Sequence, residues 1–161
     1  MNFKPDLTPK QMIELGVFTN TYFTPKEAKH IPPAWKYTPG NFKKPDKMAN
    51  AFKVTSGLSR EEWQAKGWIH KDDPLGWFQW YCRYFLGRRH EDDERQIKRQ
   101  LAFTRHHQQL INKGRADILS RRVQRQACLQ WAYDPLPDFA FKPEETTFKK
   151  IKRILDENRF E

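Results

Sequence analysis

The chain has 161 residues with 30 basic against 20 acidic side chains, a net charge of +10, and 23 aromatic residues including six tryptophans. That length suits one domain with a core of its own, and the charge points to a polyanionic or anionic partner. No run of about 18 apolar residues occurs, so a membrane partner is not expected. Cys82 and Cys128 stand far apart among apolar neighbours. They read as buried free thiols of a reducing compartment, cytoplasmic or nuclear.

The expected fold is mainly α: an irregular Pro-rich wrap over 1–58, a compact helical core over 59–133, and a connection with an amphipathic helix over 134–161. Thr8-Pro9-Lys10-Gln11 and Thr24-Pro25-Lys26-Glu27 each have the threonine, proline and acidic or amide residue of a helix start, and Gly16 supplies a stop. Ile31 to Pro45 carries four prolines and should lie extended over the surface, pinned by Trp35, Tyr37 and Phe42. Ala51 to Thr55 is the one stretch that invites a strand. Ser59-Arg60-Glu61-Glu62 opens a short helix with Trp63 as its apolar contact.

Asp72-Asp73-Pro74 predicts a helix from Pro74 to about Leu86, apolar almost all round and hence central. A long helix should follow from about Glu91 to Lys113, ended by Gly114. Another is expected after the cap Ser120, running to about Tyr133, with Val123, Ala127 and Trp131 as its core face. The last, from Thr146 or Thr147 to about Phe160, should bury Phe148, Ile151, Ile154 and Leu155. Its cations Lys149, Lys150, Lys152 and Arg153 should face water or a partner.

Ten of the thirteen arginines fall between Arg83 and Arg125. Arginine's planar fork suits phosphate, so Arg83, Arg88, Arg89, Arg95, Arg99, Arg121, Arg122 and Arg125 are the candidate anion-binding residues. Arg88 and Arg89 precede Asp92 and Asp93 by four positions, a spacing that equally describes pairs within a helix. Arg121, Arg122 and Arg125 follow Ser120 with no acidic residue among them, at the positive end of a helix. They require a counter-charge, from Asp92, Asp93 or Asp117 or from an external phosphate. Trp77, Tyr84 and Trp131 are candidates for base stacking, although most aromatics of the central helix must be core.

The segments Trp68–Arg99, WIHKDDPLGWFQWYCRYFLGRRHEDDERQIKR, and Ser120–Asp134, SRRVQRQACLQWAYD, resemble a group of small basic proteins without characterised activity. The resemblance brings no activity, cofactor or catalytic residue with it. His70 with Asp72 and Asp73 has ligand-type residues close together, but a capped loop has the same spacing, and no metal is expected. Nucleotide-binding glycine loops and zinc-protease motifs do not occur.

Three functions are compatible with this pattern. The first is nucleic-acid binding through phosphate contacts from the arginine-rich region. The second is an enzyme or small-molecule binder for a phosphorylated or nucleotide-like substrate, in an arginine and aspartate pocket beside the central helix with Asp92 or Asp93 as general acid or base. The third is a structural component of a larger nucleoprotein assembly. A broad exposed arginine face would favour the first, and a concave cluster the second.

Overall fold

In the computed structural model, which describes residues 2–37, 47, 50–57 and 60–158, Thr8 opens the first helix as its sequence predicts. Its hydroxyl accepts the Gln11 N–H while the Gln11 side chain returns to the Thr8 N–H at 2.9 Å, and α1 (Pro9–Glu14) follows. Thr24 and Glu27 make the same reciprocal pair at 2.8 and 3.2 Å, but only a 3₁₀ turn, Glu27–His30, grows from it. A further 3₁₀ turn, Pro33–Trp35, buries Trp35. Phe42 and Ser59 lie outside the described residues. The segment 51–55 is turns and bends rather than the strand considered above, and α2 (Arg60–Ala65) comes next.

The central helix starts later than expected. The carboxylate of Asp73 is taken up by arginines instead of capping a helix, so α3 (Trp77–Phe85) begins only after Gly76. Gly76 has φ +103°, and a Cβ there would press on the Trp63 ring at 3.3 Å, so only glycine fits. The Leu75 N–H is met by the Gln79 side chain at 2.9 Å and the Gln79 N–H by the Tyr22 hydroxyl at 3.2 Å. Six consecutive residues from Trp77 to Cys82 are buried, as an all-round apolar helix must be.

The long helix expected over 91–113 is two, α4 (Asp93–Ala102) and α5 (Thr104–Lys113), broken at Phe103. The Tyr133 hydroxyl donates to the Gln100 carbonyl at 2.7 Å and also lies 2.9 Å from the Thr104 hydroxyl. It thus occupies the carbonyl that a continuous helix would offer to Thr104, a recognised cause of kinks. Gly114 ends α5 with φ −67°, so left-handed backbone is not its purpose. Space is: a Cβ there would collide with the Asp138 carboxylate and the Leu110 carbonyl.

After α6 (Arg122–Gln130), the chain closes with α7 (Thr147–Glu157), capped by Thr146. Two faces differ from the sequence reading. On α6, Val123 is 55% exposed and the buried residues are Arg125, Gln126, Cys128 and Leu129. The helix is rotated to bring Arg125 inside. On α7, Lys150 is buried beside Ile151 and Ile154, where its ammonium donates to Asp134 at 2.7 Å and to the Leu136 carbonyl at 2.7 Å. The result is a compact, mainly α-helical bundle. Leu7, Met12, Val17 and Phe52 of the amino-terminal third share its main core with Phe78, Trp80, Leu129 and Ile151.

Candidate functional site

Two copies of one pattern, His-x-Asp-Asp, lead into α3 and α4. At 70–73 the Asp72 N–H donates to His70 Nδ1 at 3.0 Å, and the Asp73 N–H to the His70 carbonyl at 3.0 Å. At 90–93 the Asp92 N–H donates to His90 Nδ1 at 3.1 Å, and the Asp93 N–H to the His90 carbonyl at 3.1 Å. The two imidazoles meet edge to face with centroids 4.9 Å apart. A ring nitrogen that accepts an N–H bears no proton, so each neutral ring carries its proton on Nε2. His90 Nε2 then donates to Asp72 at 2.8 Å and His70 Nε2 to Glu91 at 3.3 Å. The hydrogen bond from His90 holds the Asp72 carboxyl below the usual carboxylate range, with the neighbouring charge of Lys71 adding to it.

The second aspartate of each turn is a structural post. Asp73, wholly buried, takes a two-pronged bond from Arg88 at 2.9 and 2.7 Å and a third from Arg83 at 2.9 Å. Asp93 accepts the Trp80 indole N–H at 2.7 Å and the His90 N–H at 2.9 Å. Burial pushes the Asp92 carboxyl up, but the bonds and charge of Arg95 outweigh it and leave the group below its ordinary value. Gln96 donates to it as well, at 3.0 Å. Both acid–base candidates therefore have their carboxyl oxygens taken up by donors of the fold.

Most of the candidate arginines turn inward. Arg125 is wholly buried on Asp138, Arg122 donates to the Phe52 carbonyl at 2.8 Å, and Arg121 reaches Gln124 at 3.3 Å from the left-handed residue before α6. The counter-charge of Arg125 is thus internal, and it comes from Asp138 rather than from Asp92, Asp93 or Asp117. Arg89 sits over the Tyr84 ring, its guanidinium carbon 3.8 Å from the centroid, beside a recess of about 320 Å³ that Phe3 and Phe85 also line. Trp77 is buried and gives its indole N–H to the Gln96 carbonyl at 3.1 Å, so it is core.

Arg95 and Arg99 differ from the rest. Each donates to the Trp68 carbonyl at 3.1 Å, and the Arg99 guanidinium sits 5.7 Å from the Trp68 ring centroid and 5.3 Å from that of Trp131. Its other acceptor is the Gln96 side chain at 2.9 Å, so among the described residues no carboxylate bonds to it. Burial, helped by the charge of Arg95, pulls Arg99 down to about 10. These residues line a solvent-open groove of about 740 Å³, completed by Ala102, Phe103, Arg105 and His106. Phe103 stacks on Trp131, 5.9 Å away, and on His106, 4.4 Å away. Arg105 is exposed at the rim and has no hydrogen-bond or ion-pair partner among the described residues.

Among the described residues no helix is long and apolar enough to cross a membrane. Compared with models of known families, with curated proteins and with solved structures, the chain matches none. The groove brings together Arg95, Arg99 and Trp131 of the residues chosen from sequence. It adds Trp68, Phe103, Arg105 and His106, which were not chosen. A helical stripe at 95, 99, 103 and 106 carried part of that signal. The facing turns were equally legible as H-K-D-D and H-E-D-D, once the two are aligned.

Proposed function

We propose that the protein binds a planar, phosphorylated small molecule of nucleotide type in the groove between Trp68, Phe103 and Trp131, as a binder or as an enzyme. The observation that carries this reading is Arg99, a desolvated guanidinium without a carboxylate, set between two indoles at the wall of a concave surface. An aromatic ring of the ligand would stack on the exposed indole of Trp68 or on Trp131, an interaction worth about 1–3 kcal/mol per base. Its phosphate would meet Arg99 and Arg105, and Arg95 would bring further positive charge while its own bonds remain with Asp92.

Nucleic-acid binding through a broad arginine face has less support, because Arg83, Arg88, Arg122 and Arg125 are spent on internal acceptors. One experiment separates the two. The indole N–H signals of the six tryptophans are followed by NMR while adenosine and guanosine monophosphates, the bare nucleosides and inorganic phosphate are added in turn. The nucleotides should shift Trp68 and Trp131 selectively. Arg105→Ala removes a charged contact worth roughly 1.5–3 kcal/mol, so affinity should fall about 10- to 100-fold with the melting temperature unchanged. Nucleotides that leave both indoles unmoved, together with salt-dependent binding of a mixed-sequence oligonucleotide, would replace the groove reading with the nucleic-acid one.

A further inference from the structure

The facing turns at 70–73 and 90–93 assemble a donor set that the groove does not use. One ligand-type atom from each of His70, Asp72, His90 and Glu91 lies within 4.8 Å of the other three. The histidine side chains are largely covered, at 19% and 16% exposed, whereas Asp72 and Glu91 are open to solvent at 48% and 76%. In a chain of net charge +10, neither the Asp72 nor the Glu91 carboxylate bonds to an arginine or lysine among the described residues. The neighbouring Asp73 and Asp92 do, and are thereby withdrawn from the set. What remains is two neutral imidazoles and two carboxylates, a charge of −2.

From this we infer a binding site for one divalent first-row transition ion, held by Nε2 of His70 and His90 and by the carboxylates of Asp72 and Glu91. Imidazole with carboxylate suits zinc, iron or nickel, whereas calcium and magnesium favour all-oxygen sites. The two carboxylates balance the charge of the ion, and their exposure gives it an entry path. Glu91, the most exposed, is the ligand most readily exchanged for water or substrate. The inference does not depend on the groove.

Metal binding here carries a distinctive proton rearrangement. Without metal, both rings hold their proton on Nε2, because Nδ1 accepts a backbone N–H. An ion at Nε2 needs the lone pair there, so each ring must carry its proton on Nδ1 instead, and the Asp72 and Asp92 N–H groups lose their acceptors. Two ordinary hydrogen bonds are exchanged for two nitrogen–metal bonds, and the two turns must adjust.

The test uses the full chain, freed of metal with a chelator and titrated with zinc, with cobalt as a spectroscopic substitute. Calorimetry should give one ion per chain. Long-range ¹H–¹⁵N spectra should show His70 and His90 passing together from the Nε2–H to the Nδ1–H form, while His30, His106 and His107 stay as they were. His90→Asn offers an amide oxygen to the Asp92 N–H, and it should weaken binding by more than the ~10- to 100-fold typical of outer-shell changes. Glu91→Gln, at a position too exposed to affect folding, should weaken it less. Zinc bound equally well by a His70→Asn/His90→Asn variant, or rings that remain Nε2–H at saturating zinc, would overturn the proposal.

Discussion

Replacing Arg125 with alanine should destabilise the fold sharply. The guanidinium is 0% exposed and every one of its N–H groups is used. Nε donates to the Ser120 carbonyl at 2.9 Å, Nη1 to the Pro135 carbonyl at 3.0 Å and to Asp138 at 2.7 Å, and Nη2 to the Ser120 hydroxyl at 3.2 Å and to Asp138 at 2.8 Å. One side chain thus ties the start of α6 to the connection before α7. Asp138 in turn accepts the Ala116 N–H at 2.9 Å, which fixes the turn after α5. Removing the arginine strands a buried carboxylate, at a cost of roughly 3–5 kcal/mol. For a chain of this size that lowers the melting temperature by about 6–20 °C. Thermal unfolding followed by circular dichroism measures it. The pair also sets a pH dependence: burial raises the Asp138 carboxyl, but the Arg125 bonds overcome this and leave it below its ordinary value. A carboxyl depressed in the folded state stabilises above its unfolded pKa, about 3.9, and that contribution is lost as pH falls through the folded value. The melting temperature should therefore be flat near neutrality and drop on the acid side, with the drop reduced in Arg125→Met/Asp138→Leu. A fall of under 2 °C for Arg125→Ala at neutral pH would refute the reasoning.

Other substitutions probe the same logic elsewhere. Lys150→Ala should also cost roughly 3–5 kcal/mol, because Asp134 loses its buried cation, while Lys149→Ala on the exposed face of α7 leaves the melting temperature unchanged. Gly114→Ala should lower the melting temperature although its backbone is ordinary, since the added methyl drives Asp138 off Arg125 and presses on the Leu110 carbonyl, and in an Asp138→Ala background the loss should be smaller, with the Leu110 clash remaining. Burial pushes the Cys82 thiol far up and the Cys128 thiol up to about 12, so neither should react with a thiol reagent near neutral pH until the chain is unfolded.

The helices were legible wherever a local signal decided them. Thr8, Thr146 and the apolar run from Trp77 each work through neighbours within one or two turns. The misreadings share a different cause, namely partners remote in sequence. Asp73 looks like a cap until Arg83 and Arg88 claim it, 10 and 15 residues on. The helix over 91–113 looks continuous until Tyr133 reaches Gln100 from 33 residues away. Lys150 looks solvated because nothing in its own helix announces Asp134. The groove suffered from the same blindness: its α4 and α5 stripe could be seen, but Trp68 joins it only because two arginines grip its carbonyl.

That grip is a general feature of this chain and alters what its basic composition means. Short helices joined by irregular segments leave many backbone carbonyls without a ladder partner, free to accept from side chains. Here arginines supply the donors: Arg83 to the Asp72 carbonyl, Arg89 to Tyr84, Arg95 and Arg99 to Trp68, Arg122 to Phe52, Arg125 to Ser120 and Pro135, and Arg153 to Ala140. Five donors on a rigid fork allow one side chain to close a loop and to pair with a carboxylate at once, which an ammonium on a flexible stem does less well. An excess of arginine in such a fold therefore reports first on internal carbonyls and only second on an external anion. Arg89, Arg115 and Arg121 likewise bond to no carboxylate among the described residues, but the functional signal lies in Arg99 and Arg105, which share that property beside two indoles. Both line the same groove, and that coincidence, rather than the net charge, favours a bound phosphate there.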